Sequence, residues 1–152
     1  MSDGYPPPSG GRHGAIHLWR LADGRTTRTL HDPDGNPVIG VEYSPDGASL
    51  AAMSFRRIYL WDTASDTIVS TITPPAHAIL RDFAIDPDGQ AIAAVDANDT
   101  AYVWELGTGK LVAALRDPDG EEIDSLAYSP DGRTLAVSEY NGRIDLWNVS
   151  GL

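Results

Sequence analysis

Apolar residues recur with a period of two inside short stretches of this chain. In "RIYLW" and "RIDLW", Ile58 and Leu60, or Ile144 and Leu146, share one face, and the tryptophan and the residue two before it take the other. Alternation over five or six residues is the mark of a β-strand with two distinct faces. The same reading along the chain predicts strands near 38–43, 49–54, 57–61, 79–85, 90–95, 100–104, 123–128, 134–138 and 143–147. Outer strands follow in segments such as "GTGKLVAAL" and near Thr27–Leu30. Each stretch is bounded by Gly, Pro, Asp or Asn, and nothing supports a long helix.

The stretches repeat on a longer beat. Four tryptophans each close a similar strand, at Trp19, Trp61, Trp104 and Trp147, with spacings of 42, 43 and 43 residues. A second mark keeps the same period: "SPDG" at Ser44, "DPDG" at Asp86 and "SPDG" at Ser129. Proline presets φ for the first central turn position, aspartate bonds its own backbone, and glycine accepts positive φ as the chain reverses. Apolar residues precede each turn at matching places: Val38, Val41 and Tyr43; Leu80, Phe83 and Ile85; Ile123, Leu126 and Tyr128. The runs "LAAM", "IAAV" and "LAVS" follow it, so one repeat holds four short strands. Two further "DPDG" copies, at Asp32 and Asp117, sit between repeats. Asp32, Asp34 and Asn36 alternate as calcium ligands do. However, the glycine is out of phase with an EF-hand loop and no terminal Glu follows, so turn chemistry is the reading.

Turn "SPDG", strand "LA", strand "LW" with an acidic or polar follower (Asp62, Glu105, Asn148), then a hairpin such as "GTGKL": this order resembles the WD-repeat β-propellers over about Gly11 to Leu152. The resemblance implies an all-β, incomplete propeller of four-stranded antiparallel blades around a channel, with the tryptophan strand third from the centre. The chain departs from the family at its buried hydrogen-bonded tetrad. The family's histidine position falls near Asp34, Ala76 and Asp119, and its turn aspartate position holds Phe55, Asn98 and Asn141. The blades are therefore expected to rely on apolar packing and turn chemistry.

The expected organisation is a Pro/Gly-rich tail over 1–10 and a partial propeller over 11–152. The third and fourth strands of one blade fall in 11–31, full blades in about 37–72 and 79–116, and three strands of a last blade in 122–148. About three and a half repeats leave apolar faces and strand edges that only neighbouring blades can cover. The expectation is either part of a larger propeller or a self-assembling ring, so that the isolated chain is a homo-oligomer or aggregation-prone. Trp61, Trp104 and Trp147 are expected buried, with Trp19 more exposed.

Composition narrows the function. The formal net charge of −11 opposes nucleic-acid binding, which needs a basic face. Much of the acid sits in Asp-Gly turns. No apolar run approaches a membrane span and the N-terminus lacks a secretory pattern. One lysine against ten arginines points to a GC-rich bacterial genome, and the chain is assigned to the cytoplasm. Without cysteine, thiolate chemistry is excluded. No "GxSxG" elbow occurs, and His13, His17, His31 and His77 lack metal-ligand spacing. "GTGK" at 107–110 lacks the first glycine and the helix of a phosphate loop. "NVS" at Asn148 is a sequon without a role in a bacterial cytoplasm. No catalytic residue, cofactor or metal is assigned.

The expected function is a non-catalytic protein–protein interaction scaffold. A protein or peptide partner would dock on the face built from the loops 31–37, 73–78 and 117–122 and the turns 55–57, 96–99 and 139–142. Those loops and their margins hold Phe55, Arg56, Arg57, His77, Arg81, Glu121, Glu122, Glu139 and Tyr140. An arginine pair beside an exposed aromatic suits an acidic or peptide partner, because Arg and aromatics are enriched at binding hot spots. The alternative is part of a propeller enzyme or ligand-binding sensor domain whose site is completed by blades absent here.

Overall fold

A computed structural model of the chain describes residues 14–117 and 119–152. The tail assigned to 1–10, His13 and Pro118 fall outside the described residues. Thirteen strands and no helix occur among those described. They form four antiparallel sheets. The first pairs β1 (Ala15–Arg20) with β2 (Arg25–His31). The second runs β3 (Gly40–Tyr43), β4 (Ser49–Met53), β5 (Ile58–Asp62), β6 (Thr67–Ile72). The third runs β7 (Leu80–Ile85), β8 (Ala91–Asp96), β9 (Thr100–Glu105), β10 (Leu111–Arg116), and the fourth β11 (Ile123–Tyr128), β12 (Thr134–Glu139), β13 (Ile144–Asn148). The predicted all-β repeat is borne out, with strand ends shifted by a residue or two.

Register shows that the repeats are structural equivalents. Trp61 lies opposite Leu50, Trp104 opposite Ile92 and Trp147 opposite Leu135. On the outer side of Trp19, Trp61 and Trp104 the pairing slips by one residue, between Leu18 and Trp19, Leu60 and Trp61, and Leu111 and Ala113. Such a bulge bends the outer strand where the indole begins.

The PDG turns form as their chemistry predicts. The amides of Gly47, Gly89 and Gly132 donate to the carbonyls of Ser44, Asp86 and Ser129 at 2.8, 2.9 and 2.9 Å. Gly47 has φ of 71° with open space around the missing Cβ, so conformation and not crowding calls for glycine there. In the last of these turns, Asp131 accepts from the Ser129 hydroxyl at 2.6 Å and the Arg133 amide at 3.1 Å. The Ser129 hydroxyl, then the Arg133 amide, hold the Asp131 carboxyl below its ordinary value. A lowered folded value stabilises above the unfolded value and fades as pH falls through the folded one. Asp131→Ala is therefore expected to be less stable than the parent at pH 7, with the gap closing as pH falls below about 4. Urea titrations at both pH values check this; a gap that does not change would contradict it.

Each pair of neighbouring sheets encloses one apolar cluster, and the period of two decides which residues enter it. The tryptophan face of each sheet meets the preceding sheet. Trp61 and Tyr59 pack with Ile16, Leu18 and Leu30, whereas Trp104 packs with Leu60, Ile72 and Ala51. Trp147 packs, half-buried, against the cluster of Val95, Ala101 and Val103. The opposite face meets the following sheet: Ile58 and Leu60 are buried in this way, as are Ala101 and Val103. The equivalent residues of the fourth sheet, Ile144 and Leu146, stand 68% and 70% exposed. Trp104 is fully enclosed, while Trp147 is less buried than the sequence suggests, because no strand pairs with the outer edge of β13 among the described residues.

The first strands of the last three sheets lie side by side and are stapled by carboxylates. Glu42 on β3 accepts from the Ile85 amide of β7 at 3.2 Å. Asp82 on β7 accepts from the Ser125 hydroxyl at 2.6 Å and the Leu126 amide at 3.1 Å on β11. The Phe83 ring lies over the Gly40 backbone, where a Cβ would come within 2.9 Å of it.

Candidate functional site

One end of the sheets carries the turns that join the second to the third strand and the loops that lead into each first strand. Backbone bonds tie these together: the Leu80 amide donates to the Phe55 carbonyl at 2.9 Å, and the Tyr140 amide to the Glu122 carbonyl at 3.0 Å. Phe55 therefore reaches from the second sheet to the start of β7, and Tyr140 is fixed beside the start of β11.

Three of the sequence-assigned residues meet across the boundary of the third and fourth sheets. The Arg81 guanidinium pairs with Glu122 and lies 5.8 Å from the centre of the Tyr140 ring, a cation–π arrangement. Arg57 is drawn to Asp34, 3.1 Å away, and is not a free cation. Arg56, His77 and Glu121 are exposed, and His77 adopts φ of 71°, the left-handed region that marks a tight reversal. Glu139 differs from the others. Its side chain is enclosed and accepts from Asn141 Nδ2 at 2.8 Å, so it supports the turn from inside.

Large apolar groups are exposed at this same end. Phe55 is 47% and Tyr140 67% exposed, and Ile39 and Ile79, which lead into β3 and β7, are also exposed. Ile39 and Ile79 were not singled out in the sequence. Both fall within the strands predicted over 38–43 and 79–85, where one more apolar residue looks like core, but each lies just before the observed strand.

Polar groups inside these turns were also missed. Asp96 accepts from the amides of Asn98 and Thr100 at 2.9 and 3.1 Å and from the Tyr102 hydroxyl at 3.2 Å. Ser54, at the equivalent place in the second sheet, accepts from the Arg57 amide at 3.2 Å. The turns are thus held by a polar residue at the end of the second strand, in addition to the apolar packing expected of blades without the tetrad. The signal was present as the polar residue closing each apolar run: Ser54, Asp96 and Glu139.

Sheets of two, four, four and three antiparallel strands, stacked face to face through a tryptophan strand, are consistent with the blades of an incomplete propeller. Residues 109–148 match the family model described as WD domain, G-beta repeat. That segment spans β10 and the fourth sheet, and the second and third sheets follow the same strand plan, an arrangement consistent with a fragment of a WD-repeat propeller. A search of curated proteins found no match. Repeats of this family are in general non-catalytic protein-interaction modules. No helix among the described residues is long and apolar enough to cross a membrane.

Proposed function

We propose that this chain is a non-catalytic scaffold whose docking surface is the sheet end bearing Phe55, Arg56, Arg57, His77, Arg81, Glu121, Glu122 and Tyr140, with Glu139 as an interior support. The observation that carries the reading is the exposure of Phe55 and Tyr140 beside arginine on turns pinned by backbone hydrogen bonds. Aromatic side chains held this way offer large contact area at little entropic cost, and arginine adds charge-assisted bonds. The partner is a protein or peptide segment with apolar and acidic residues. Its acidic groups meet Arg56, while Arg81, paired with Glu122, holds the Tyr140 ring in place.

Selection of a random peptide library on the purified chain would supply a ligand. Phe55→Ala and Tyr140→Ala are each expected to weaken that ligand at least about tenfold, as hot-spot truncations do. Val69→Ala, at the bulge of β6, is expected to change nothing. Retained affinity in both loop-end variants would overturn the proposal.

A second surface is favoured by Ile144 and Leu146. Their counterparts in the other sheets are covered by the next sheet's tryptophan face. We propose that another blade covers them, from a longer chain or, for the isolated chain, from a second copy. At about 50 µM the isolated chain is expected to self-associate in sedimentation runs, with Leu146→Lys shifting it toward monomer. A monodisperse monomer of the parent chain would contradict this.

A further inference from the structure

The fourth sheet gathers three carboxylates at one place, whereas the buried acids beside its siblings, Asp32 and Asp96, belong to no such group among the described residues. Asp117, Glu139 and Asp145 each place a carboxylate oxygen within 4.8 Å of the others. Asp117 is 3% exposed and the Glu139 side chain is enclosed. Register supplies the comparison. Tyr59 lies opposite Ala52, Tyr102 opposite Ala94 and Asp145 opposite Val137, so the three are equivalents. The second sheet has the same frame: Asp32 stands for Asp117, Asp34 for Asp119 and Arg57 for Arg143. In both sheets the arginine pairs with the second aspartate, Arg57 with Asp34 and Arg143 with Asp119.

The difference lies in the two remaining places. Ser54 and Tyr59 are neutral, and the Tyr59 hydroxyl donates to Asp34 at 2.8 Å. In the fourth sheet these places hold Glu139 and Asp145, so two carboxylates become four while the arginine count stays at one. Arg143 is already shared. It pairs with Asp119, lies 3.2 Å from Asp145 and is 3.9 Å from Glu139. A second, independent observation marks the deficit: Asp117 Oδ1 and Glu139 Oε1 are both buried without a hydrogen-bond partner, and although Asp32 Oδ2 shares this state in the second sheet, the Glu139 orphan has no counterpart at Ser54. Their sister oxygens are used, Asp117 Oδ2 by the Glu121 amide at 2.8 Å and Glu139 Oε2 by Asn141. A buried carboxylate oxygen left unpaired beside two further carboxylates is costly unless a cation stands among them.

We propose that Asp117, Glu139 and Asp145 bind a hard divalent cation of the calcium type. The donors are all oxygens, and the absence of sulfur and imidazole selects against zinc and copper. Calcium takes carboxylates in flexible geometry at 2.3–2.6 Å, so oxygens about 4.8 Å apart or closer suit its shell. Asp145, the least buried of the three, opens the site to solvent. Bound there, the ion joins the loop before β11 to β12 and β13. It would stiffen the turn that presents Tyr140, and this much rests on the docking surface proposed above; the cation site itself does not.

The test uses chelator-treated full chain, with calcium chloride alone as the probe and sodium chloride at matched ionic strength as the control. Calcium is expected to raise the melting temperature of the parent chain, and calorimetry should give one site per chain with a dissociation constant of about 10⁻⁴ M or tighter. Asp145→Tyr, which restores the residue of the sibling sheets, is expected to abolish the calcium response. Asp145→Asn is the second variant should the first misfold, and is expected to lose at least tenfold in affinity. No calcium-specific shift in the parent chain would overturn the proposal, and so would a shift of equal size in the Asp145 variants. Peptide binding at Phe55 is read separately, so failure of one proposal leaves the other standing.

Discussion

Trp104→Ala is expected to destabilise the chain by about 3–5 kcal/mol, the range for removing a large aromatic from a packed interior. The indole is 1% exposed and belongs to the cluster that joins the second and third sheets. The ring of Tyr102 lies against it, with centroids 5.6 Å apart. Truncation would leave a cavity bounded by Leu60 and Ile72, on strands fixed by ladder hydrogen bonds that limit collapse, and by Leu106 in the turn after β9. Trp147→Ala, at the equivalent place in the half-buried fourth sheet, should cost distinctly less. Urea unfolding of both variants checks the pair. A loss below about 1 kcal/mol for Trp104, or equal losses for the two, would contradict the stacked arrangement.

Asp82→Ala is expected to cost about 2 kcal/mol, because hydrogen bonds to a charged group are worth more than neutral ones and the Ser125 and Leu126 donors are left without an acceptor. The bonds run between β7 and β11, so the loss reports on inter-sheet stapling. Neighbouring sheets are otherwise joined mainly by apolar contact, which tolerates sliding; a carboxylate gripping two donors fixes the register. A double-mutant cycle with Ser125→Ala should give a coupling of about 1 kcal/mol. Additive losses would mean the two residues act independently, contrary to the geometry.

Much of this fold is legible in the sequence because two independent periods agree. The alternation around Trp61, Trp104 and Trp147 gives each strand its faces, and the PDG turns fix where strands reverse. Their glycines, all at positive φ, make the turn positions nearly unambiguous. The resemblance to WD repeats rested on those marks, and the match over 109–148 bears it out. What the sequence did not disclose depends on contacts between repeats. Asp82 reads as one more polar residue on a first strand, yet it bridges two sheets. Glu139 reads as a loop acid, but Asp117 reaches it from the loop before β11 and Asp145 from the next strand across the hairpin, a meeting that spacing alone does not show. The exposure of Ile39 and Ile79 likewise follows from packing: apolar composition alone assigns them to the core. For the candidate surface, residue types were readable, whereas the pairing of Arg81 with Glu122 and Tyr140 was not.

The docking surface is tested most directly by hydrogen–deuterium exchange on the chain with and without a selected peptide ligand. Bound peptide is expected to slow exchange at residues 55–57, 77–81 and 139–142, and to leave the PDG turns at 44–47, 86–89 and 129–132 unchanged. Protection confined to those PDG turns, at the opposite end of the sheets, would contradict the assignment.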